Sequence, residues 1–344
     1  MRLRIGGGRA VLSGLLLTLL SQGCAGSVSR AVLPTEQSNA RTEITRILFA
    51  QYAAIERGDL TAWASAFSSD VFLWGSAPSE VMSGREAMLA TMNRGAASRM
   101  AADVKRRYRS TRLHIGIAPS GRGAWIADEI DYTLSSATTT KQIRLRLSAV
   151  AIYQQNRWQI CAAHFSVPIE DERAFAGSWP LPMDLPAPLF PPAEQITSLI
   201  PTTPHDHFPV PFSDRTDVLL IGTAPQEWVV GGPQAQQFTH QGQPGHIEVS
   251  RRGNPITFAH PTANLAWAAW NGTLTVPHQS NRISLPIRVL SVFLHQDHHW
   301  QKVQEHVSLP PPQKNPPPPP PPVGEPGLEE GKAGVTEGRP QSNP

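Results

Sequence analysis

The chain has 344 residues, 40 % of them hydrophobic and only 17 % charged, with a net charge of +3. That length fits one or two domains plus tails, and so small a net charge gives no argument for nucleic acid as a partner. Its 34 prolines are about twice the usual ~5 % share, which points to long irregular segments beside the folded parts.

Arg2, Arg4 and Arg9 precede an apolar run from Ala10 to Leu20, followed by the small residues Ser21, Gly23, Cys24, Ala25 and Gly26. This order predicts a secretory signal peptide over 1–26, and the run is too short to span a bilayer. Leu20-Ser-Gln-Gly-Cys24 also fits a lipoprotein signal with Cys24 as the acylated first residue of the mature chain, although Ser21 stands where leucine is usual. Lipidation and simple cleavage are both open. The expectation is an exported protein: periplasmic or a membrane-anchored lipoprotein, otherwise secreted, touching a membrane only through an anchor at Cys24. With Cys24 lipidated or removed, Cys161 has no partner and no disulfide is expected.

Residues 27–40 are polar and read as disordered. From Arg41, the residues Ile44, Ile47, Leu48, Tyr52 and Ile55 fall on one helical stripe. Gly58 ends that helix, and Asp59 caps a second short one carrying Leu60, Trp63, Ala64 and Phe67. Asp70–Trp74 is a short strand, and Ser83 caps a third helix holding Met88, Leu89 and Met92. Residues 108–118, 124–134, 142–153 and 158–167 read as four long strands joined by turns. Lys105–Arg112 is locally basic and fringes the first of them. Residues 169–192 form a Pro-rich linker whose Phe175, Trp179, Leu185 and Phe190 predict packing across the modules. Beyond it, 193–310 offers only a poor opening helix and a short one near Gln234–His240. Its strands are expected at 246–251, 256–260, 265–276, 283–294 and 300–308. Residues 311–344, with Pro316–Pro322 unbroken, read as a disordered tail of polyproline II character.

The chain repeats itself. Trp125, Arg146, Trp158, His164, Ser166 and Pro168 each recur 142 residues on, as Trp267, Arg288, Trp300, His306, Ser308 and Pro310. A second block, Asp70–Glu80 with Gly84, recurs 147 residues on as Asp217–Glu227 with Gly231. The second copy is therefore five residues shorter between the blocks, a deletion expected around Leu89–Arg106. Two copies of one module are expected, packed as an intrachain pseudo-dimer.

Three motifs carry a family resemblance. They are Asp70-Val-Phe-Leu-Trp-Gly-Ser-Ala-Pro-Ser-Glu80 with Gly84-Arg-Glu-Ala87, then Ala124-Trp125, then Arg146-Leu-Ser148 closing through Trp158 to His164-Phe-Ser-Val-Pro168. On them the chain resembles the SnoaL-like branch of the nuclear transport factor 2-like superfamily over 41–168, and more loosely over 193–310. The resemblance implies an α+β fold of two tandem cone-shaped barrels, the second with reduced helices. Each cone would have a ligand pocket between sheet and helix. It implies no single activity, since fold does not fix function.

The candidate site residues follow from chemistry. His164 and Ser166 lie two apart on a strand and share a face, as do His306 and Ser308. Such a pair binds a carboxylate, shuttles a proton, or fixes the last strand by hydrogen bonds. Arg146 and Arg288 are candidates for anchoring an anionic ligand, or for an ion pair with Glu80 or Asp70. Arg146 shares the face of His164 only if the hairpin loop has three residues rather than two. Asp128 shares a face with Ile126, Ile130 and Tyr132, so burial would raise its pKa and make it a candidate base. Trp74 completes the expected ligand-binding set. His205-Asp-His207 and His295–His299 lack a fixed geometry, and no metal or cofactor is expected. The leading expectation is a non-catalytic protein that binds a small amphipathic ligand or serves as an envelope scaffold. The alternative is an isomerase- or hydrolase-like enzyme using Asp128 or His164.

Overall fold

The computed structural model describes residues 34–77, 80–99, 104–202, 210–241, 248–278 and 281–310. The expected signal peptide, Cys24, the His205–His207 cluster and the Pro-rich tail lie outside them. Helix α1 spans Pro34–Glu56 and begins seven residues before Arg41. The expectation of disorder up to residue 40 fails over 34–40. Pro34 is tolerated at a helix start, where the missing N–H has no intrahelical acceptor, and Glu36 complements the helix dipole. Ala40, Ile44, Leu48 and Tyr52 form the buried stripe. Gly58 (φ 74°) turns the chain, and α2 (Leu60–Ala64) starts under a bond of 2.9 Å from Ala62 N–H to the Asp59 carboxylate. Phe67, expected on this helix, instead opens strand β1 (Phe67–Trp74), which pairs with β2 (Val81–Ser83). Helix α3 is Arg85–Arg99. Then come β3 (Lys105–Ile117), β4 (Gly123–Ser135), β5 (Thr140–Gln154) and β6 (Arg157–Ser166).

The linker holds α4 (Asp171–Ala176). Module two has a single-turn α5 (Glu194–Thr197), β7 (Leu219–Ile221), β8 (Trp228–Val230) and α6 (Gly232–Gln241). Its long strands are β9 (Glu248–His260), β10 (Leu265–His278), β11 (Asn281–Gln296) and β12 (His299–Ser308). The two segments expected at 246–251 and 256–260 are one strand: Gly253 takes φ 70°, and a register shift against β10 absorbs the break. The five-residue deletion falls on the third helix, since α3 has 15 residues and α6 has 10.

Each module builds a six-stranded sheet of the same order, β2-β1-β6-β5-β4-β3 and β8-β7-β12-β11-β10-β9. In both, the first strand lies parallel beside the last. The inner face of the first sheet closes on α1 through Leu48, Tyr52, Ile126, Leu147 and Ala163. The outer faces of the two sheets pack against each other. Phe72, Trp74, Trp125, Val150 and Ala162 of module one share a single core with Leu265, Trp267, Leu290 and Val292 of module two. Trp125 lies across Gly116, where a Cβ would fall within 2.3 Å of indole atoms. The linker seals the rim, with the Phe190 ring 4.8 Å from Phe258 and 5.7 Å from Trp267.

The parity of Arg146 is decided by neither turn length alone. The loop has two residues, Gln155 and Asn156, both at positive φ (51° and 58°), a type I′ turn. By itself this turn would set Leu147 opposite His164. A bulge at Cys161 intervenes: Val150 pairs with Ala162 but Ala151 with Ile160. Beyond it Ser148 faces His164, and Arg146 faces Ser166. Module two repeats the device. Asp297 and His298 make the turn, the bulge falls at Val303, and Arg288 faces Ser308. Arg146, His164 and Ser166 thus share the outer face, with Trp74.

Trp267 is 1 % exposed and reaches Phe72 of the other module at 6.0 Å. Trp267→Ala is expected to cost about 3–5 kcal/mol. Because its core is shared, urea unfolding followed by fluorescence and by far-UV circular dichroism should show both modules losing stability together.

Candidate functional site

At the centre of the join stand two imidazoles. The His164 and His306 rings stack 4.1 Å apart at 23°, both fully buried. Each meets the serine of the other module: His164 Nε2 lies 2.8 Å from Ser308 Oγ, and His306 Nε2 lies 2.8 Å from Ser166 Oγ. The contact is isologous in form, residue for residue, as across a two-fold axis. Burial first, then neighbouring groups, hold both rings well below the usual imidazole range: on His164 the repulsion it would meet from a charged His306, then Arg288; on His306 Arg146 and Arg288. They are neutral at physiological pH. The Trp74 ring packs 5.1 Å from His164.

The arginines flank the stack. Arg146 donates to the Gly222 and Ala224 carbonyls at 3.1 and 2.8 Å and to the Pro225 carbonyl. Arg288 donates to the Gly75 carbonyl at 3.0 Å and to Ser308 Oγ at 3.4 Å. Gly75 and Gly222 occupy matching places in the repeated block, so each guanidinium caps the loop of the opposite module. Arg146 is 3.8 Å from Glu129, its ion-pair partner, rather than paired with Glu80 or Asp70. Burial lowers the pKa of both arginines, that of Arg288 to about 10, and both remain cationic at neutral pH. Trp125 Nε1 donates to the Asp217 carbonyl at 2.7 Å, and Gln304 Nε2 to the Ile126 carbonyl at 2.9 Å, so further cross-module bonds line the seam.

Of the expected ligand-binding residues, Trp74, Arg146, His164 and Ser166, with Arg288, His306 and Ser308 of module two, therefore stand in this seam and not in the cones. The expected pocket placement fails for these seven because all lie on the outer face, which the other sheet covers. In each module the bulge brings the arginine onto the face of the histidine and serine, and Trp74 joins them by pairing with His164. Asp128 alone lies inside a cone. It accepts from Tyr52 Oη at 2.9 Å and from Ser110 Oγ at 2.7 Å, and is fully buried. Loss of solvent raises its pKa to about 6 against the lowering effect of those two bonds. Tyr52 stacks on Tyr108 at 5.8 Å, and Tyr108 meets Tyr132 at 4.7 Å. Elsewhere in this cone a cavity of about 10 Å³ remains among Ile44, Leu48, Ile126 and Trp158, room for one water at most.

Module two encloses different chemistry. Lys302 Nζ and Glu305 Oε2 are 2.7 Å apart with almost no exposure, and Ser291 Oγ donates to the same oxygen at 3.1 Å. Trp270, at the place of Asp128, lies 3.5 Å from Ser291 through its Nε1. Sequence reasoning missed this cluster. Its signal was present in Lys302 and Glu305 on a strand otherwise matching β6, at the places of Ile160 and Ala163. Cys161 is buried, and burial raises its thiol pKa, as for a core residue. Among the described residues no group of three His, Cys, Asp or Glu side chains is placed to hold a metal.

Paired cones of this topology, each with its first strand parallel to its last, define an α+β fold of the nuclear transport factor 2-like type, here written twice with fewer helices in the second copy. Residues 44–170 match the SnoaL-like domain family, and module one is a SnoaL-like domain. No curated protein matches the chain. Among solved structures, a nuclear transport factor 2-like protein of unknown function from Pseudomonas putida is similar at 15 % identity and TM-score 0.35, over 39 % of this chain and 91 % of that one. A structure from Catenulispora acidiphila is similar at 16 % identity and TM-score 0.37, over 42 % and 99 %. ActVI-ORFA from Streptomyces coelicolor is similar at 13 % identity and TM-score 0.34, over 38 % and 97 %.

The stacked pair sets a pH dependence. The folded pKa of each histidine lies below the unfolded value of ~6.5, so the unfolded chain binds more protons as the medium turns acid. Stability from this source is complete above about pH 6.5 and is lost as pH falls. The limiting slope is about 1.4 kcal/mol per pH unit for each ring. Chemical denaturation between pH 7.5 and 5 should show the slope, and the double variant His164→Gln/His306→Gln should flatten it.

Proposed function

We propose that this chain is an exported, non-catalytic SnoaL-like pair that works as a scaffold at the cell envelope. The observation that carries the reading is that the groups capable of acid–base chemistry are shut away from solvent and bonded within the chain, with Nδ1 of each histidine left without a partner. Both histidines are held in the seam against serines of the opposite module. Both oxygens of Asp128 accept bonds from side chains of its own module. A general base must reach the proton it abstracts, and neither imidazole nor carboxylate has a solvent-facing edge. Export and attachment through Cys24 rest on the Arg-rich, apolar, small-residue order of the first 26 residues.

A second reading has one observation in its favour. The Asp128 carboxyl, with its pKa near 6, is matched to proton transfer close to neutral pH. Beside the Tyr52–Tyr108–Tyr132 ladder it would serve an isomerase- or hydrolase-like reaction on a small amphipathic substrate, or bind such a ligand without turnover.

Native mass spectrometry of the full chain isolated from its own host separates the two. The scaffold reading expects the bare mass. A small molecule retained by the native chain and lost from Asp128→Asn would favour the second. Asp128→Asn also has an expected physical effect. Raising a carboxyl from 3.8 to about 6 makes its ionisation in the folded chain unfavourable by about 3 kcal/mol at neutral pH. The variant should therefore be more stable than the native chain at pH 8, with an advantage that shrinks towards pH 4, measured by urea denaturation at both. Incorporation of labelled fatty acid, abolished by Cys24→Ser, tests the anchor.

A further inference from the structure

The outer face of sheet one extends past the seam, and there its charges separate. The acids of β4 that face this way, Glu129 and Asp131, are both buried. Lys105, Arg107, Arg109 and Arg112 on β3 and Arg144 on β5 are all exposed. The pairing puts these five cations on one face: Arg107 is opposite Thr133, Arg109 opposite Asp131, Arg112 opposite Glu129, and Arg144 is on the far side of Asp131. Asp131 takes up part of the charge of Arg109 and Arg144, whose side chains are still 67 % and 52 % exposed. Glu129 is drawn inward to Arg146. The neighbouring acid of module two, Glu227, is turned into its own loop, accepting from Ala224 N–H at 2.8 Å. The β3 row runs roughly 20 Å at ~3.4 Å per residue.

Module two supplies an internal comparison. By register, Arg107 corresponds to Glu248, Arg109 to Ser250 and Arg144 to Pro286. Arg282 there is paired with Glu248 at 3.0 Å. The linker also crosses that tip, where Asn271 donates to the Met183 carbonyl at 2.8 Å. Arg112 keeps an exposed counterpart in Arg252, so what belongs to module one alone is the stretch built by Arg107, Arg109 and Arg144, and that stretch is not demanded by the shared fold.

We propose that this basic tip of module one is a docking surface for the anionic headgroups of a phospholipid bilayer. An exposed row of cations suits a surface of delocalised negative charge. It suits nucleic acid poorly, because the residues between the cations are Thr133, Ser135, Thr140 and Gln142, with no stacking platform among them. Tyr108 and Tyr132 lie on the opposite face, and Trp228 is already covered by Arg112, 5.3 Å from its ring centre. The surface acts independently of any lipid on Cys24, and it extends the scaffold reading without depending on it.

Co-sedimentation of the full chain tests it, comparing phosphatidylcholine vesicles with vesicles of equal parts phosphatidylcholine and phosphatidylglycerol. The neutral vesicles measure whatever the apolar N-terminus contributes. A preference of about tenfold or more for anionic vesicles is expected. It should vanish when salt is raised from about 0.1 M to about 1 M, as the Debye length falls from ~10 to ~3 Å. Lys105→Glu/Arg107→Glu should abolish the preference with circular dichroism unchanged. If that variant misfolds, Lys105→Gln/Arg107→Gln should reduce it. Equal binding to both vesicles, a preference that survives charge removal, or tighter binding to heparin or a single-stranded oligonucleotide than to the anionic vesicles would overturn the proposal.

Discussion

Two guanidinium groups buried between sheets set the terms for everything else in this molecule. Taking a cation out of water costs several kcal/mol unless fixed partners replace its hydration. Arg146 finds them in three carbonyls of the opposite loop, with Glu129 3.8 Å away, and Arg288 in one carbonyl and a serine, with Glu80 favouring its charge. Most of those partners lie on the opposite module. Separated, each module would expose an arginine, an indole-rich face and a loop of unpaired carbonyls. The join is therefore part of folding and not an association added to it, and the reciprocal histidine–serine bonds fix its register.

That dependence explains how module two persists with so little helix. Its first helix is reduced to the single turn of α5, so the inner face of its sheet closes on Ile196, Ile200, Val210 and residues of the linker region such as Ile169 and Ala174. A lone sheet with one apolar face half covered is marginal. Here the central part of the outer face is covered by module one, and the shared core adds the burial that a missing helix would have supplied.

Much of this was legible in the sequence, and the reason is the offset. Residues repeating 142 apart with tryptophan, arginine and histidine among them mark two copies of one strand pattern, and the deletion between the two offsets landed on the third helix. What was not legible is the face these residues occupy. Strand side chains alternate with a period of two, so a single bulge reverses inside and outside for everything beyond it. Cys161 and Val303, the bulge residues, carry no mark in the sequence, since neither is glycine. The partners of Asp128 were hidden for a different reason: Tyr52 and Ser110 come from α1 and β3, and only tertiary packing brings them together.

The distribution of identities between the copies then has a physical cause. Trp125, Arg146, His164 and Ser166 face the seam, and all have their twins in module two. Asp128, Ala149, Ile160 and Ala163 face the first cone, and their counterparts are Trp270, Ser291, Lys302 and Glu305. In an isologous contact each residue touches the neighbours of its own twin, so a change in one copy disturbs two contacts and is neutral only if matched by a second. The cone interiors touch nothing of each other and are free to diverge. One came to hold a lone carboxyl among tyrosines, the other a buried lysine–glutamate pair. Any chemistry or ligand specificity this protein has will therefore differ between its two cones, while the reciprocal Trp, Arg, His and Ser contacts of the seam are common to both, although Trp74, Ala162 and Glu129 there are matched by Ile221, Gln304 and Asn271.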